Sequence, residues 1–315
     1  ALRGTEVGRH IWRAIPLSIP GRTPVGVVTL CDDLLGDQFV AQRERELQLV
    51  GYLNQAARAM QVVSTRRREL ELAGRMQASL LPSAPPDLPG WQIEVTLHPA
   101  RETSGDFYDF IGLPGEQLGI VIADVADKGM SAALYMALSR TLIRTYATGY
   151  PQRPDLALQA ANDRLLADTQ ADLFVTVFYG ILNPADSTLT YCNAGHHPPY
   201  CLSPENSQEA GTQGPIQALP GRGIALGVVE DPGWGYSRIK LDPGAALLLY
   251  TDGAIDAHDS DLTPFGSEGI LEAARCNLGQ PAQNLLEDLL SRVQRFAGDQ
   301  PQFDDITLLA VRREG

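Results

Sequence analysis

Residues 117–137 read "QLGIVIADVADKGMSAALYMA". The run Ile120–Ala123 is apolar and rich in β-branched residues, which suits a buried strand. From Ser131 onward the pattern is helical, and it continues through "SAALYMALSRTLIRTYATG" to a closing glycine, Gly149. Between strand and helix lie Asp124, Asp127, Lys128 and Gly129. A strand that reads as buried therefore ends in two carboxylates three residues apart. Burying such groups as anions is expensive unless something neutralises them.

The oddity recurs along the chain. Asp252 follows "LLLYT", Asp304 and Asp305 precede "ITLLAV", and Asp106 and Asp109 sit within "GDFYDF". A single aspartate at a strand end is ordinarily a turn former or a cap. Several in one domain can meet if their strands assemble into sheets with these ends at one edge. Few arginines or lysines lie nearby in the sequence, and carboxylates that meet without a counter-charge raise one another's pKa. A divalent cation meets the need. Oxygen-only motifs that lack His and Cys favour Mg²⁺ or Mn²⁺ over Zn²⁺. Four or five carboxylates suit two ions ~3.5–4 Å apart, a pair that can activate water against phosphate. Gly105, Gly129 and Gly253 lie beside these aspartates, where they permit sharp turns and close backbone approach.

The other segments place this chemistry in an α+β fold. "WQIEVTLHPA" alternates like a strand, and "TSGDFYDFIGL" and "QLGIVIAD" form an antiparallel pair about the turn "PGEQ". "RPDLALQAANDRLLADT" is a second helix, and "FVTVFYGILNPADSTLTYCNAGHHPPYCL" is a hairpin that turns at "NPADS". Residues 203–235 are rich in Gly, Pro and polar residues and read as a long loop or flap. "AALLLYTDG" is a strand, "GILEAARCN" and "PAQNLLEDLLSRVQRFAG" are helices, and "DDITLLAVRR" is the last strand. Strands and helices both come in pairs, which points to antiparallel sheets rather than a parallel doubly wound fold.

Upstream, "PSAPPDLPG" at 82–90 marks a boundary, so residues 82–315 form the main domain. Residues 39–81 contain no proline and read as one long helix or two abutting ones. Leu49, Leu53, Ala56, Met60 and Val63 follow the 4-3-4-3 spacing of a coiled-coil seam. The seam decays at "TRRRE", and the apolar face moves to Leu72, Ala73, Met76 and Leu80. Two faces predict two partners, a sister chain in a homodimer and then the downstream domain; the alternative is an amphipathic helix packed within one chain. Residues 1–38 are strand-rich, with a β run at Val25–Leu30.

The chain has 315 residues, is 44% hydrophobic and carries a formal net charge of −13. That charge argues against non-specific binding to nucleic acid or anionic membranes, which needs a basic surface. Cys31, Cys192, Cys201 and Cys276 form no CxxC pair, which fits a reducing, cytoplasmic setting and not a structural zinc site. No apolar run approaches the ~18 residues of a membrane span, and no signal-peptide pattern is visible.

Seven ordered blocks carry a family resemblance: "MQASLLPSAPP", "PARETSGDFYDF", "IADVADKGMSAALYMA", "FVTVFYGIL", "LTYCNAGHHPPY", "LLLYTDGAIDA" and "FDDITLLAVR". Together they are spread over about residues 75–313. The sequence resembles the PPM-type (metal-dependent, protein phosphatase 2C-like) serine/threonine phosphatases, in particular the stage II sporulation protein E and RsbU-like bacterial branch. The resemblance implies two antiparallel sheets packed face to face and flanked by helices, an α-β-β-α sandwich, here preceded by the long coiled-coil-like helix. It also implies a binuclear Mn²⁺ or Mg²⁺ centre, with a third ion left open. Asp124 corresponds to the aspartate bridging both ions, Val125 to a ligand through its carbonyl, and Asp252 and Asp304 to further metal ligands. Asp305 is a weaker match. Asp106 matches a position that binds metal through water or orients the nucleophile. Asp109, on the opposite face of a regular strand from Asp106, supports from behind. Arg101 has the spacing of the phosphate-binding arginine, and a surface arginine is the alternative. More weakly, residues 1–38 resemble the C-terminal tail of a GAF-type sensor domain, the alternative being a simple β-extension.

The function so implied is hydrolysis of phosphoserine or phosphothreonine by a metal-bridging hydroxide. By the same resemblance, the substrate is a phosphorylated anti-sigma-factor antagonist of the STAS type. "DVADKG" lacks the histidine that eukaryotic members place after the bridging aspartate. Lys128 is the nearest substitute as an acid, though it reads rather as a solvated turn lysine. His196 and His197 read as structural, with flap or substrate contact as the alternative. Two other functions stay open, an inactive partner-binding module of the same fold and a two-metal phosphohydrolase acting on small phosphate esters.

Overall fold

The computed structural model describes residues 3–7, 10–17, 26–33, 39–169, 172–204, 215–221 and 223–315, with side chains from residue 51 onward. The chain divides into two compact units, Ala1–Glu71 and Leu72–Gly315.

In the first unit, β1 (Arg3–Val7), β2 (His10–Leu17) and β3 (Gly26–Asp33) form an antiparallel meander in the order β1-β2-β3. The helix α1 runs unbroken from Phe39 to Ala78, 40 residues, so the expected helical stretch is one helix and not two. Tyr52, Met60, Val62 and Val63 are exposed on it.

The second unit continues with β4 (Trp91–His98), β5 (Phe107–Leu113), β6 (Gln117–Val125), α2 (Met130–Gly149) and α3 (Pro154–Asp168). Then come β7 (Val175–Asn183), β8 (Thr188–Ala194), β9 (Tyr200–Leu202), β10 (Ile216–Ala218) and β11 (Ser237–Lys240). The unit closes with β12 (Ala246–Tyr250), α4 (Asp252–Ile255), α5 (Gly266–Cys276), α6 (Ala282–Ala297) and β13 (Ile306–Arg313). The strands make two five-stranded antiparallel sheets, ordered β10-β9-β12-β13-β4 and β11-β8-β7-β6-β5.

Alternation along the strands builds three apolar layers, because successive side chains point to opposite faces. Ile120 and Ile122 of β6 meet Leu247 and Leu249 of β12 and Leu309 and Val311 of β13 between the sheets. Val121 and Ala123 face the other way, against Met136 and Ile143 of α2 and Leu158 of α3. Leu248, Leu308 and Ala310 pack outward on Ile270 of α5 and Leu285 and Leu289 of α6. The result is the α-β-β-α sandwich.

The described part of residues 203–235 is tied into the fold rather than forming a free loop. The strand β10 pairs with β9, and Leu226 exchanges both backbone hydrogen bonds with Val175 at 2.9 and 3.0 Å. Asn162 of α3 then fastens the next turn, accepting from the Gly227 N–H and donating to the Val229 carbonyl, each at 2.8 Å. Residues 205–214 and 222 lie outside the described set.

Candidate active site

The inter-sheet layer sets where the aspartates go. Asp124 continues the face of Ile120 and Ile122, Asp106 that of Phe110, Thr251 that of Leu247 and Leu249, and Thr307 that of Leu309 and Val311. Because the strands pair antiparallel, the N-terminal ends of β5 and β13 and the C-terminal ends of β6 and β12 bring all four to one edge. Thr251 and Thr307 each donate a hydroxyl hydrogen bond to Asp106 Oδ2, at 2.7 and 2.6 Å. The Thr307 N–H in turn donates to Thr251 Oγ1 at 2.9 Å.

Asp106 is buried, and its carboxyl is pushed well above the usual range by burial and by Asp124, against the pull of the two threonines. Burial, Asp252 and Asp304 push Asp124 up to about 7, while a hydrogen bond with Asp106 opposes them. Asp252 is raised by burial, then by Asp304 and Asp256. These electrostatic couplings tie Asp106, Asp124, Asp252 and Asp304 into one cluster.

Not all of the expected residues are equally free. Asp305 has both carboxylate oxygens engaged: the Ala100 N–H donates to Oδ1 at 2.7 Å, and Ser104 Oγ and the Gly105 N–H donate to Oδ2 at 2.8 Å. It ties together the loop that delivers Asp106. Asp109 is buried and faces α2, where Arg140 reaches it at 3.1 Å and Arg144 at 2.7 Å. Asp304 forms an ion pair with Lys128 at 2.8 Å. The scarcity of nearby cations expected from the sequence is thereby corrected, since α2 and the turn before it supply three. Lys128 is also no solvated turn lysine. Arg101 is exposed. Asp127 is held below the usual carboxylate range chiefly by the Lys128 N–H and Ser131, with a smaller contribution from Arg101.

His196 and His197 differ. His196 is buried, its Nδ1 lies 2.9 Å from Thr176 Oγ1, and burial together with His197 lowers its pKa to about 3, so it is a neutral ring. Asn193 clasps the same turn, accepting from the His196 N–H at 2.8 Å and donating to its carbonyl at 3.0 Å. His197 is exposed, stacks on Tyr250, and lies near enough to Asp252 to lower its carboxyl against the larger effects of burial and Asp304.

Among the described residues, no three His, Cys, Asp or Glu side chains are already gathered about one ion position. The donor set nonetheless fits a hard divalent cation. It is all oxygen, burial and then neighbouring carboxylates raise Asp106, Asp124 and Asp252, and two glycines keep backbone against it. A Cβ at Gly105 would sit 3.0 Å from the Val125 carbonyl, and one at Gly253 would overlap the Asp305 carbonyl.

Four further residues matter that the sequence reading passed over. Ser104, Thr251 and Thr307 are described above. Gln77, in the last turn of α1, donates to the Ser104 carbonyl at 2.6 Å and accepts from its N–H at 3.0 Å. For the threonines a signal existed, since each shares a strand face with the inter-sheet leucines. Gln77 lies in the block "MQASLLPSAPP", but nothing in that block points to its partner, a backbone 27 residues away.

This fold, with its carboxylate cluster between the ends of two antiparallel sheets, is of the protein phosphatase 2C type. The sequence pattern of the stage II sporulation protein E (SpoIIE) family matches residues 114–314, and the chain belongs to that family. It is 33% identical over 274 residues to protein IcfG of Synechocystis sp., covering 78% of this chain and 42% of the relative. It is 28% identical to phosphoserine phosphatase RsbU of Bacillus subtilis, covering 79% of this chain and 71% of the relative. The chain thus spans less than half the length of IcfG. Among solved structures, the SiaA-PP2C domain of Pseudomonas aeruginosa superposes with a TM-score of 0.69 at 22% identity, covering 80% of this chain and 98% of that one. No helix among the described residues is long and apolar enough to cross a membrane.

Proposed function

We propose that the chain is a Mn²⁺- or Mg²⁺-dependent phosphatase that hydrolyses phosphoserine or phosphothreonine on a regulatory protein. The observation that carries this reading is the meeting of Asp106, Asp124, Asp252 and Asp304, from both sheets, in one electrostatically coupled cluster. Family membership and the likeness to a phosphoserine phosphatase support it.

In this reading Asp124, coupled to the other three, would hold the ions together with Asp252, Asp304 and the Val125 carbonyl. Asp106, fixed by Thr251 and Thr307, orients the attacking water. Bound Mn²⁺ or Mg²⁺ supplies positive charge for the phosphate oxygens and lowers the pKa of a water. Arg101 is the phosphate-binding side chain, with Asp127 beside it. Asp305 and Asp109 act through the loop and strand they hold rather than as ligands. A STAS-type antagonist is the substrate and the cytoplasm the location, both carried over from the resemblance. The exposed seam residues Met60 and Val63 support homodimerisation through residues 39–81, with residues 1–38 as the GAF-like tail upstream.

The test is turnover of a phosphoserine peptide with Mn²⁺, beside Asp124→Asn and beside a small aryl phosphate. Metal-dependent turnover of the peptide that the variant loses supports the proposal. Turnover of the aryl phosphate alone, or none at all, sinks it. Sedimentation of the chain at micromolar concentration checks the dimer.

A further inference from the structure

We propose that Lys128 is a tethered counter-cation for the carboxylate cluster, one that a divalent ion must outcompete at Asp304. The inference deepens the metal-centre reading above and rests on it.

The ammonium of Lys128 is held from three sides. It donates to Asp304 Oδ2 at 2.8 Å and to the Phe303 carbonyl at 2.8 Å, and it lies 3.7 Å from the centre of the Phe303 ring. Two hydrogen bonds and a ring face use an ammonium's directions well. The side chain is 27% exposed, which a solvated turn lysine would greatly exceed.

Both ends of the contact are anchored. On the lysine side, Asp127 adopts a φ of 87° and Gly129 one of 85°, and Ser131 Oγ donates to Asp127 Oδ2 at 2.9 Å. A left-handed conformation at an aspartate costs energy and persists only where the surroundings impose it. On the aspartate side, Gln302 Nε2 donates to the His98 and Asp304 carbonyls, each at 2.7 Å, and Asp305 locks the adjoining loop. Lys128 therefore reaches across a fixed gap, from the turn after β6 to the residues before β13.

Among the described residues, Lys128 is the cation ion-paired to this cluster; Arg140 and Arg144 serve Asp109 on the opposite face of β5. Its charge has two opposite consequences. Without metal it offsets the repulsion that Asp304 exerts on Asp124 and Asp252. With metal it repels the incoming dication and occupies an oxygen that the dication needs. Lys128 thus lets the cluster fold before loading and sets how tightly it loads.

The experiment is calorimetric Mn²⁺ titration of the wild-type chain and of Lys128→Met, Lys128→Gln and Lys128→Arg, with thermal melts in chelator and in saturating Mn²⁺. Removing the charge is expected to tighten Mn²⁺ binding roughly tenfold or more. The Met and Gln variants should also melt below wild type in chelator yet gain more from Mn²⁺, while Arg stays close to wild type. Equal or weaker Mn²⁺ binding by both neutral variants overturns the proposal. The Gln variant, which keeps a donor for the Phe303 carbonyl, decides the matter if Met fails to fold. If neither wild type nor variants bind Mn²⁺, the metal-centre reading itself falls; binding by wild type without tightening in the variants overturns the counter-cation alone.

Discussion

Thr307 Oγ1 donates a 2.6 Å hydrogen bond to Asp106 Oδ2, and that bond joins one sheet to the other. Thr307 belongs to β13, while Asp106 immediately precedes β5. Thr307→Val keeps the shape of the side chain and removes the donor. A buried acceptor deprived of one partner costs about 1–3 kcal/mol. The variant should therefore lose stability in that range in urea titration. Its Asp106 carboxyl should rise further, since Thr307 now pulls it down, so Mn²⁺ binding should weaken and recover partly as the pH is raised.

Asp124 makes the metal-free protein sensitive to pH. Folded, it keeps its proton up to a pKa of about 7; unfolded, it gives the proton up near 3.8. Between those values the folded state binds more protons, so the contribution of Asp124 to stability is full below about pH 4 and is lost as the pH rises through 7. Asp124→Asn should remove that loss, leaving the metal-free variant more stable than wild type at pH 8 by a margin on the order of a few kcal/mol. Saturating Mn²⁺ should reverse the order, because wild type gains from the ion and the variant gains less. Melts at pH 4.5 and 8, with and without Mn²⁺, check both halves.

Asp109 should behave as a structural carboxylate. Its partners Arg140 and Arg144 both come from α2, and Asp109 is 1% exposed. Removing one member of a buried pair leaves the other uncompensated, at a cost of about 3–5 kcal/mol. Arg144 is 45% exposed, and water would shield it, so the lower end of that range applies. Asp109→Asn is expected to lower the urea midpoint markedly while Mn²⁺ affinity, measured on the folded fraction, stays at the wild-type value. A collapse of Mn²⁺ binding with unchanged stability would make Asp109 a ligand instead.

Much of this fold was legible because strand alternation and turn chemistry are local. "IVIA" followed by Asp124 already places the carboxylate on the inter-sheet face, once Ile120 and Ile122 are known to be there. The separation of Asp106 from Asp109 by strand parity was legible for the same reason. Cations that arrive from elsewhere were not. Arg140 and Arg144 reach Asp109 from a helix more than 30 residues away, and Lys128 reaches Asp304 across the sheets. Asp304 and Asp305 are adjacent and chemically identical, yet one pairs with Lys128 and the other holds a loop through three hydrogen bonds. Sequence spacing cannot tell such neighbours apart; the partners of each carboxylate do.

Gly253 and Gly112 should respond oppositely to alanine. A Cβ at Gly253 would overlap the Asp305 carbonyl and lie 2.8 Å from its carbonyl carbon, both backbone atoms that cannot swing aside. Gly253→Ala must push the 304–305 segment away from Asp252, which disturbs the Asp305 contacts to Ser104 and Gly105 and the Asp304 pair with Lys128. Overpacking of this kind costs about 1–3 kcal/mol, and Mn²⁺ binding should fall with it. Gly112 lies in β5 with open space about its missing Cβ. Gly112→Ala is expected to be neutral or to stabilise by about 0.4–1 kcal/mol, because alanine restricts the unfolded chain more than glycine does. Paired urea titrations and Mn²⁺ titrations of the two variants decide the point. A Gly253→Ala protein with wild-type stability and wild-type Mn²⁺ affinity would mean that the close passage of the 304–305 backbone is not needed to form the centre.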